Sequence, residues 1–231
     1  STARTFLEQC KRRPNLTIAT GALCQQVLLE NGTAVGIEYR LTKGKNSRVE
    51  RAYASGEVIL CGGVINSPQL LELSGIGNRD HLGSLGVDVK HHLPGVGENL
   101  QDHLTVNIQQ GLHGTPTFYD ESRPVALVKN VFKYLIKGTG LLAHPAAQVG
   151  VFFRTEDDAN RPDAQIHFAP AASVPDRKGN LKPIPGTTAT VCYLRPESRG
   201  SVHIRSKDAQ ATPTIRANYL DTEYDRRIIV A

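Results

Sequence analysis

The 231-residue chain has no methionine and no tryptophan, only 6% aromatic residues, and no apolar run approaching the roughly eighteen residues that a membrane-spanning helix needs. No transmembrane helix is therefore predicted. Without tryptophan, and with so few other aromatics, there is little from which to build an aromatic cage for a quaternary ammonium group. Cysteine is sparse too: Cys10, Cys24, Cys61 and Cys192 stand far apart, with no CxxC and no Cys/His ligand spacing. This excludes a zinc ribbon or a disulfide framework and predicts reduced, mostly buried thiols. The net charge of +5 comes from 27 basic and 22 acidic residues that interleave along the chain. With no basic tract and no basic patch threaded with aromatics, a nucleic-acid partner is not expected.

What is present suits a globular chain with one large or two small domains: 39% hydrophobic and 21% charged residues. Residues 16–61 read as a strand-rich meander. Leu16–Ala19 is predicted as one strand and Gln26–Leu29 as the next, followed by an Asn31-Gly32 turn and a strand over Val35–Tyr39. Asn-Gly between two apolar runs is a strong hairpin signal, because both residues tolerate the positive φ of a type I′ turn. The polar stretch Thr42–Arg51 reads as a further hairpin tip, with Lys43, Lys45, Arg48 and Arg51 in solvent.

Val58–Cys61 is a short apolar run ahead of Gly62-Gly63, as expected of a buried strand feeding a tight turn. A helix should start at Ser67-Pro68, where serine can cap and proline fits the first position, and should stop at Gly75. Such a strand–turn–helix unit is of α/β type and leaves backbone N–H groups and the positive end of a helix dipole where cofactors bind. If no further strand pairs with Val58–Cys61, its edge should be exposed.

Beyond Leu104 the pattern changes. Alternating segments at Val149–Phe153, Gln165–Phe168, Thr188–Leu194 and Ser201–Arg205, separated by Pro- and Gly-rich turns, predict an antiparallel sheet. One helix is predicted over Pro124–Lys137, with Val128, Val131, Phe132, Leu135 and Ile136 on one face and Lys129, Lys133 and Lys137 on a solvated face. The closing stretch Arg226–Ala231 also reads as helix. No histidine of the chain is assigned a catalytic role; His144, with Phe152 and Phe168, is a candidate for lining a substrate cavity.

Two segments are specific enough to carry a resemblance. Gly63–Gly77, reading GVINSPQLLELSGIG, resembles the second signature of the glucose-methanol-choline (GMC) oxidoreductases, apart from Val64 where the family usually has a small residue. Leu93–His103, reading LPGVGENLQDH, is similar to the family's stretch leading from flavin domain to substrate domain. Further similarity covers Thr20–Cys24, Leu194–Val202, which resembles a hairpin of the later part, and Pro213–Asp225. Among the subgroups, the bacterial choline dehydrogenase-like alcohol dehydrogenases are most resembled.

The resemblance implies an α+β / α/β fold: a partial, Rossmann-like FAD-binding domain over residues 1–103, a substrate domain with an antiparallel sheet flanked by helices over 104–213, and the start of a C-terminal region over 214–231. It implies FAD as cofactor and a small-molecule alcohol as substrate, oxidised at its CH–OH group by hydride transfer to the flavin. Cys24 falls where main-chain atoms contact the adenine in relatives, and Asn99, Asp102 and His103 fall beside the flavin pocket or in the loop that braces it. No G-x-G-x-x-G follows a strand here, so the dinucleotide fingerprint is expected before Ser1, and the catalytic histidine after Ala231. A chain starting at Ser1 without methionine is thus expected to be an internal piece, inactive by itself. A cytoplasmic location is implied, or a peripheral one on the inner membrane with contact to an electron acceptor. An FAD-containing lyase of the same fold, or a non-catalytic binding module, are the alternatives.

Overall fold

A computed structural model describes residues 2–41, 48–157 and 159–230. After a helical turn at Ala3–Leu7 and α1 (Glu8–Cys10), the chain runs through β1 (Ala22–Glu30), β2 (Thr33–Leu41), β3 (Val49–Tyr53) and α2 (Gly63–Leu73). It continues with β4 (Ile76–Gly77), α3 (Arg79–Ser84), β5 (His91–His92), β6 (Glu98–Leu100) and β7 (Thr105–Gly111). Next come α4 (Phe118–Glu121), α5 (Pro124–Lys137), β8 (Val149–Phe153), β9 (Ala164–Ala169), β10 (Ala172–Pro175) and β11 (Leu181–Ile184). Last are β12 (Gly186–Tyr193), β13 (Gly200–His203), β14 (Thr214–Arg216) and α6 (Glu223–Val230). No helix among the described residues is long and apolar enough to cross a membrane.

The chain forms two compact units, and neither is contiguous in sequence. Unit 1 comprises Ser1–Leu100 with Gly200–Arg216, and unit 2 comprises Gln101–Arg199 with Ala217–Ala231. Unit 1 holds the antiparallel sheet β1-β2-β3, the sheet β14-β13-β6 and the parallel pair β4-β5. Its core includes Val27, Leu82, Val96, Leu100, Val202 and Ile204. The β1–β2 hairpin closes as the sequence predicts: Glu30 pairs with Thr33 across a two-residue turn, with φ of 50° at Asn31 and 79° at Gly32. Gly32→Val should destabilise the chain by about 1 kcal/mol, because a β-branched residue is strained at positive φ. A fall in the urea midpoint at unchanged slope would show it.

Several expectations for unit 1 need correction. Leu16–Ala19 is not a strand; it runs exposed ahead of β1, which begins only at Ala22, after Gly21 has turned the chain at φ 67°. Val58–Cys61 joins no sheet among the described residues, and Ile59 is 71% exposed, since an apolar run becomes a buried strand only where a ladder partner and a covering layer exist. Helix α2 starts at Gly63, four residues before Ser67, and keeps Pro68 inside. The missing proline N–H forfeits a single bond in the second turn, and the apolar face further along carries the helix past it. Part of the Thr42–Arg51 stretch, including Lys43 and Lys45, lies outside the described residues. Arg51 stands in β3 rather than at a tip and pairs with Glu38 on β2 at 2.9 Å, while Arg48 pairs with Glu50. The thiols are all free, yet only Cys192 is buried; Cys61 is exposed.

Unit 2 is built on the antiparallel sheet β7-β12-β9-β8, as the alternating segments predict. Ala164, Ala172, Cys192, Tyr193 and Ile228 form its core. The segment from Ser201 pairs instead with β6 and β14 in unit 1, so Leu194–Val202 is no hairpin: β12 and β13 belong to different sheets. Helix α5 has the predicted bounds, with Pro124 at its start and Gly138 at φ 64° capping its end. It buries Asn130, whose amide donates to Glu121 O and Oε2, rather than an apolar stripe; Val128, Phe132, Leu135 and Ile136 are more than half exposed. Phe152 and Phe168 cannot line one cavity. Phe168 pairs with Val149, three residues from Phe152, and the two-residue period of a strand puts the rings on opposite faces.

Candidate functional site

Unit 1 contains a cleft of about 1140 Å³. One wall is the start of β1, Gly21–Cys24; Gly36 and Ile37 of β2, with Ala52 and Tyr53 of β3, continue it. The segment Glu57–Gly62, one face of α2 and the stretch Ala209–Pro213 complete it. The helix residues are Ile65, Asn66, Gln69, Leu70 and Leu73, a spacing that gathers them on one side of a helix. Gln69 Nε2 donates to Ala211 O at 3.0 Å, so α2 and the 209–213 stretch touch across the cleft. Gly36 belongs to the sheet rather than to a ligand: a Cβ there would come within 2.3 Å of Ala52 O.

The lining is mainly apolar side chain plus backbone, with Tyr53, Asn66, Gln69, Gln210 and Thr212 adding neutral polar groups. Glu57 is its single carboxylate, and no lysine or arginine contributes among the described residues. β1 is the outer strand of its sheet, so one row of its peptide groups faces away from β2. Val27 N–H in that row donates to Ser74 Oγ at 2.8 Å, and the stretch Gly21–Cys24 borders the cleft. The α2 N-terminus enters at Gly62, bringing the positive end of its dipole. Together these features fit a flat, uncharged heterocycle recognised through backbone, with any anionic extension toward the helix end.

Of the predicted site residues, Cys24 lines this cleft. Burial raises its thiol pKa, partly offset by a backbone hydrogen bond from Gln26, so the group is a neutral thiol rather than a thiolate. Asn99, in β6, is exposed and holds φ at 60°. Asp102 and His103 belong to unit 2. Asp102 accepts from His103 N–H at 2.9 Å and from the Tyr219 hydroxyl, which raises the tyrosine pKa. His103 Nε2 meets Leu194 O at 3.0 Å. The side chains of Asp102 and His103 are thus engaged with their own unit's backbone and with Tyr219.

Among the described residues, two carboxylates that are fully buried, Glu72 and Asp225, escaped sequence reasoning. Glu72, fully buried near the end of α2, bonds His203 Nδ1 at 2.7 Å and accepts Ile204 N–H at 2.8 Å. His203 Nε2 meets Glu98 Oε1 at 3.0 Å, and the His81 ring lies 5.1 Å away with Nε2 on Ile204 O. Burial pushes the His203 pKa down, but the Glu72 and Glu98 carboxylates outweigh it and the net shift is upward. Glu72, His81 and His203 place ligand-type atoms within 4.8 Å of one another, a grouping of the kind that holds metals. Both His203 nitrogens and both Glu72 oxygens already have partners, so ion pairing accounts for the cluster. The second carboxylate, Asp225, accepts from the N–H groups of Glu197 at 2.8 Å and Ser198 at 2.9 Å in unit 2. The sequence signal for Glu72 was a carboxylate inside the apolar run Leu70-Leu71-Glu72-Leu73; its partner lies 131 residues away.

The chain belongs to the GMC oxidoreductase family, whose patterns match residues 1–105 and 196–231. It is 41% identical over 225 residues to an oxygen-dependent choline dehydrogenase of Pectobacterium atrosepticum, covering 97% of this chain and 39% of that protein. Its fold matches an FAD-dependent oxidoreductase from Chaetomium thermophilum (TM-score 0.77, 23% identity, 98% of this chain and 45% of that one). It also matches pyridoxine 4-oxidase from Mesorbium loti (TM-score 0.75, 24% identity, 98% and 40%). The chain therefore spans about two fifths of the length of its relatives.

Proposed function

We propose that this chain is part of an FAD-dependent oxidoreductase acting on the CH–OH group of a small-molecule alcohol, and that the unit 1 cleft receives the adenosine end of the flavin dinucleotide. The observation that carries the reading is the cleft's character: mainly apolar walls, a backbone edge at Gly21–Cys24, and no lysine or arginine among the described residues to meet a pyrophosphate. When bound, FAD supplies hydride acceptance from the alcohol carbon. This chain's residues bind and orient. The peptide groups of Gly21–Cys24 meet the adenine edge, Leu23, Ile37 and Leu70 pack on its faces, and the α2 N-terminus favours negative charge beyond it.

Cys24 acts through its main chain, its neutral thiol staying out of the chemistry. Asn99, Asp102 and His103 serve the flavin end by holding the connecting stretch in shape, which the Asp102 and His103 bonds support. On this reading unit 1 is the flavin part and unit 2 the substrate part. The choline dehydrogenase relative makes a choline-like alcohol the first substrate to try in a longer chain, with a peripheral electron acceptor as its redox partner.

Titrating the 231-residue chain with adenosine and with ADP, followed by calorimetry, tests the cleft. Saturable binding that FAD competes away is expected. Ile65→Trp should abolish it by filling the cleft, whereas Cys24→Val should leave affinity within about twofold. A wild-type chain that binds neither compound would refute the assignment.

A further inference from the structure

Glu72 stands out because a buried charge rarely adds net stability over a well-packed apolar side chain, and its neighbours along α2 are leucines. The best-attested use of such a pair is to impose one register on the elements it joins. Glu72 joins α2 to β13: one oxygen takes His203 Nδ1 and the other takes Ile204 N–H. Beyond Ile204 the chain leaves β13 through a short turn and reaches Ala209–Pro213, which precedes β14 and borders the cleft opposite α2 at the Gln69–Ala211 contact. The bond between Glu72 and His203 therefore acts on both sides of the cleft at once.

We propose that Glu72 and His203 are positioning residues for the cleft: they set the spacing between α2 and the 209–213 stretch, and they do so more firmly when His203 is protonated. The inference rests on the cleft being an adenosine site. The titratable groups facing the His203 ring are Glu72 from α2, Glu98 from β6 and His81 from α3. A protonated ring donates from both nitrogens and satisfies both carboxylates. A neutral ring has one N–H, leaving the other carboxylate against a lone pair. The raised pKa puts this loosening on the alkaline side of an ordinary histidine titration. The linkage has the sign of a raised histidine: the added stability is complete below the unfolded pKa and disappears as pH climbs through the folded one.

The test compares wild type, Glu72→Gln and His203→Asn between about pH 6 and 9. Two quantities are read: amide exchange protection over residues 204–213, corrected for intrinsic rate, and adenosine affinity, with a thermal melt to confirm folding. In wild type both should fall together as His203 deprotonates, affinity by about tenfold. Both variants should sit at the low level throughout, without the pH step. His203→Asn, which keeps a side-chain donor, serves if Glu72→Gln does not fold. Wild-type protection and pH step in the variants would overturn the proposal. So would protection that drops while affinity stays. If wild type binds no adenosine at any pH, the site assignment fails, while the protection profile still decides whether Glu72 and His203 set the spacing.

Discussion

Replacing Asp225 by alanine should lower the stability of unit 2 by about 3 kcal/mol, the largest effect expected from a single side chain there. Asp225 is fully buried in α6, and its two oxygens accept the N–H groups of Glu197 and Ser198 at the end of the chain segment leaving β12. Alanine would strand both donors away from water, and each orphaned donor costs its full desolvation. Burial pushes the Asp225 pKa up, but bonds from the Ser198 side chain and from the Glu197 and Ser198 backbone outweigh it, so the net shift is downward. A depressed carboxylate contributes stability above its unfolded pKa and loses it as pH falls through the folded one. Wild type should therefore lose this contribution below about pH 4, while the alanine variant should have no such acid-linked loss to show. Urea midpoints at neutral and acid pH measure both. Equal midpoints for the two proteins at neutral pH would contradict the assignment.

Gly75→Ala should cost a comparable amount, about 3 kcal/mol, and weaken adenosine binding as well. Gly75 ends α2 at φ 83°, and a Cβ there would lie 2.3 Å from Asp88 O, so neither the conformation nor the space admits a side chain. Its carbonyl takes the N–H groups of Lys90 and His91, tying the helix end to β5. Displacing this turn would move Glu72, three residues earlier, off His203. A melt shows the stability loss, and a matching loss of adenosine affinity distinguishes a displaced helix from a purely local clash.

Features governed by neighbours in sequence were legible. The Asn31-Gly32 turn, the bounds of α5 between Pro124 and Gly138, the end of α2 near Gly75 and strands β8, β9 and β12 of the unit 2 sheet follow from local φ preferences and from the strand and helix periodicities. The GVINSPQLLELSGIG and LPGVGENLQDH segments were legible for the same reason, since the first is a helix closed at Gly75 and the second a glycine-bearing turn leading into β6, each with its residues at set spacings. Local pattern failed where a partner was required. Val58–Cys61 has strand composition but no ladder among the described residues, and α5 has an apolar stripe yet buries only Asn130.

The sequence by itself determined the family, the turns and the type of most elements, because these depend on residues within one or two turns of chain. Only the tertiary structure decided that Gly200–Arg216 returns to unit 1, that Cys24 and α2 share a cleft with Ala209–Pro213, and that Glu72 finds His203. Each of these is a contact across more than a hundred residues. Nothing in local spacing encodes such a pairing: it exists only once strands have chosen their sheets and a buried charge has required a partner.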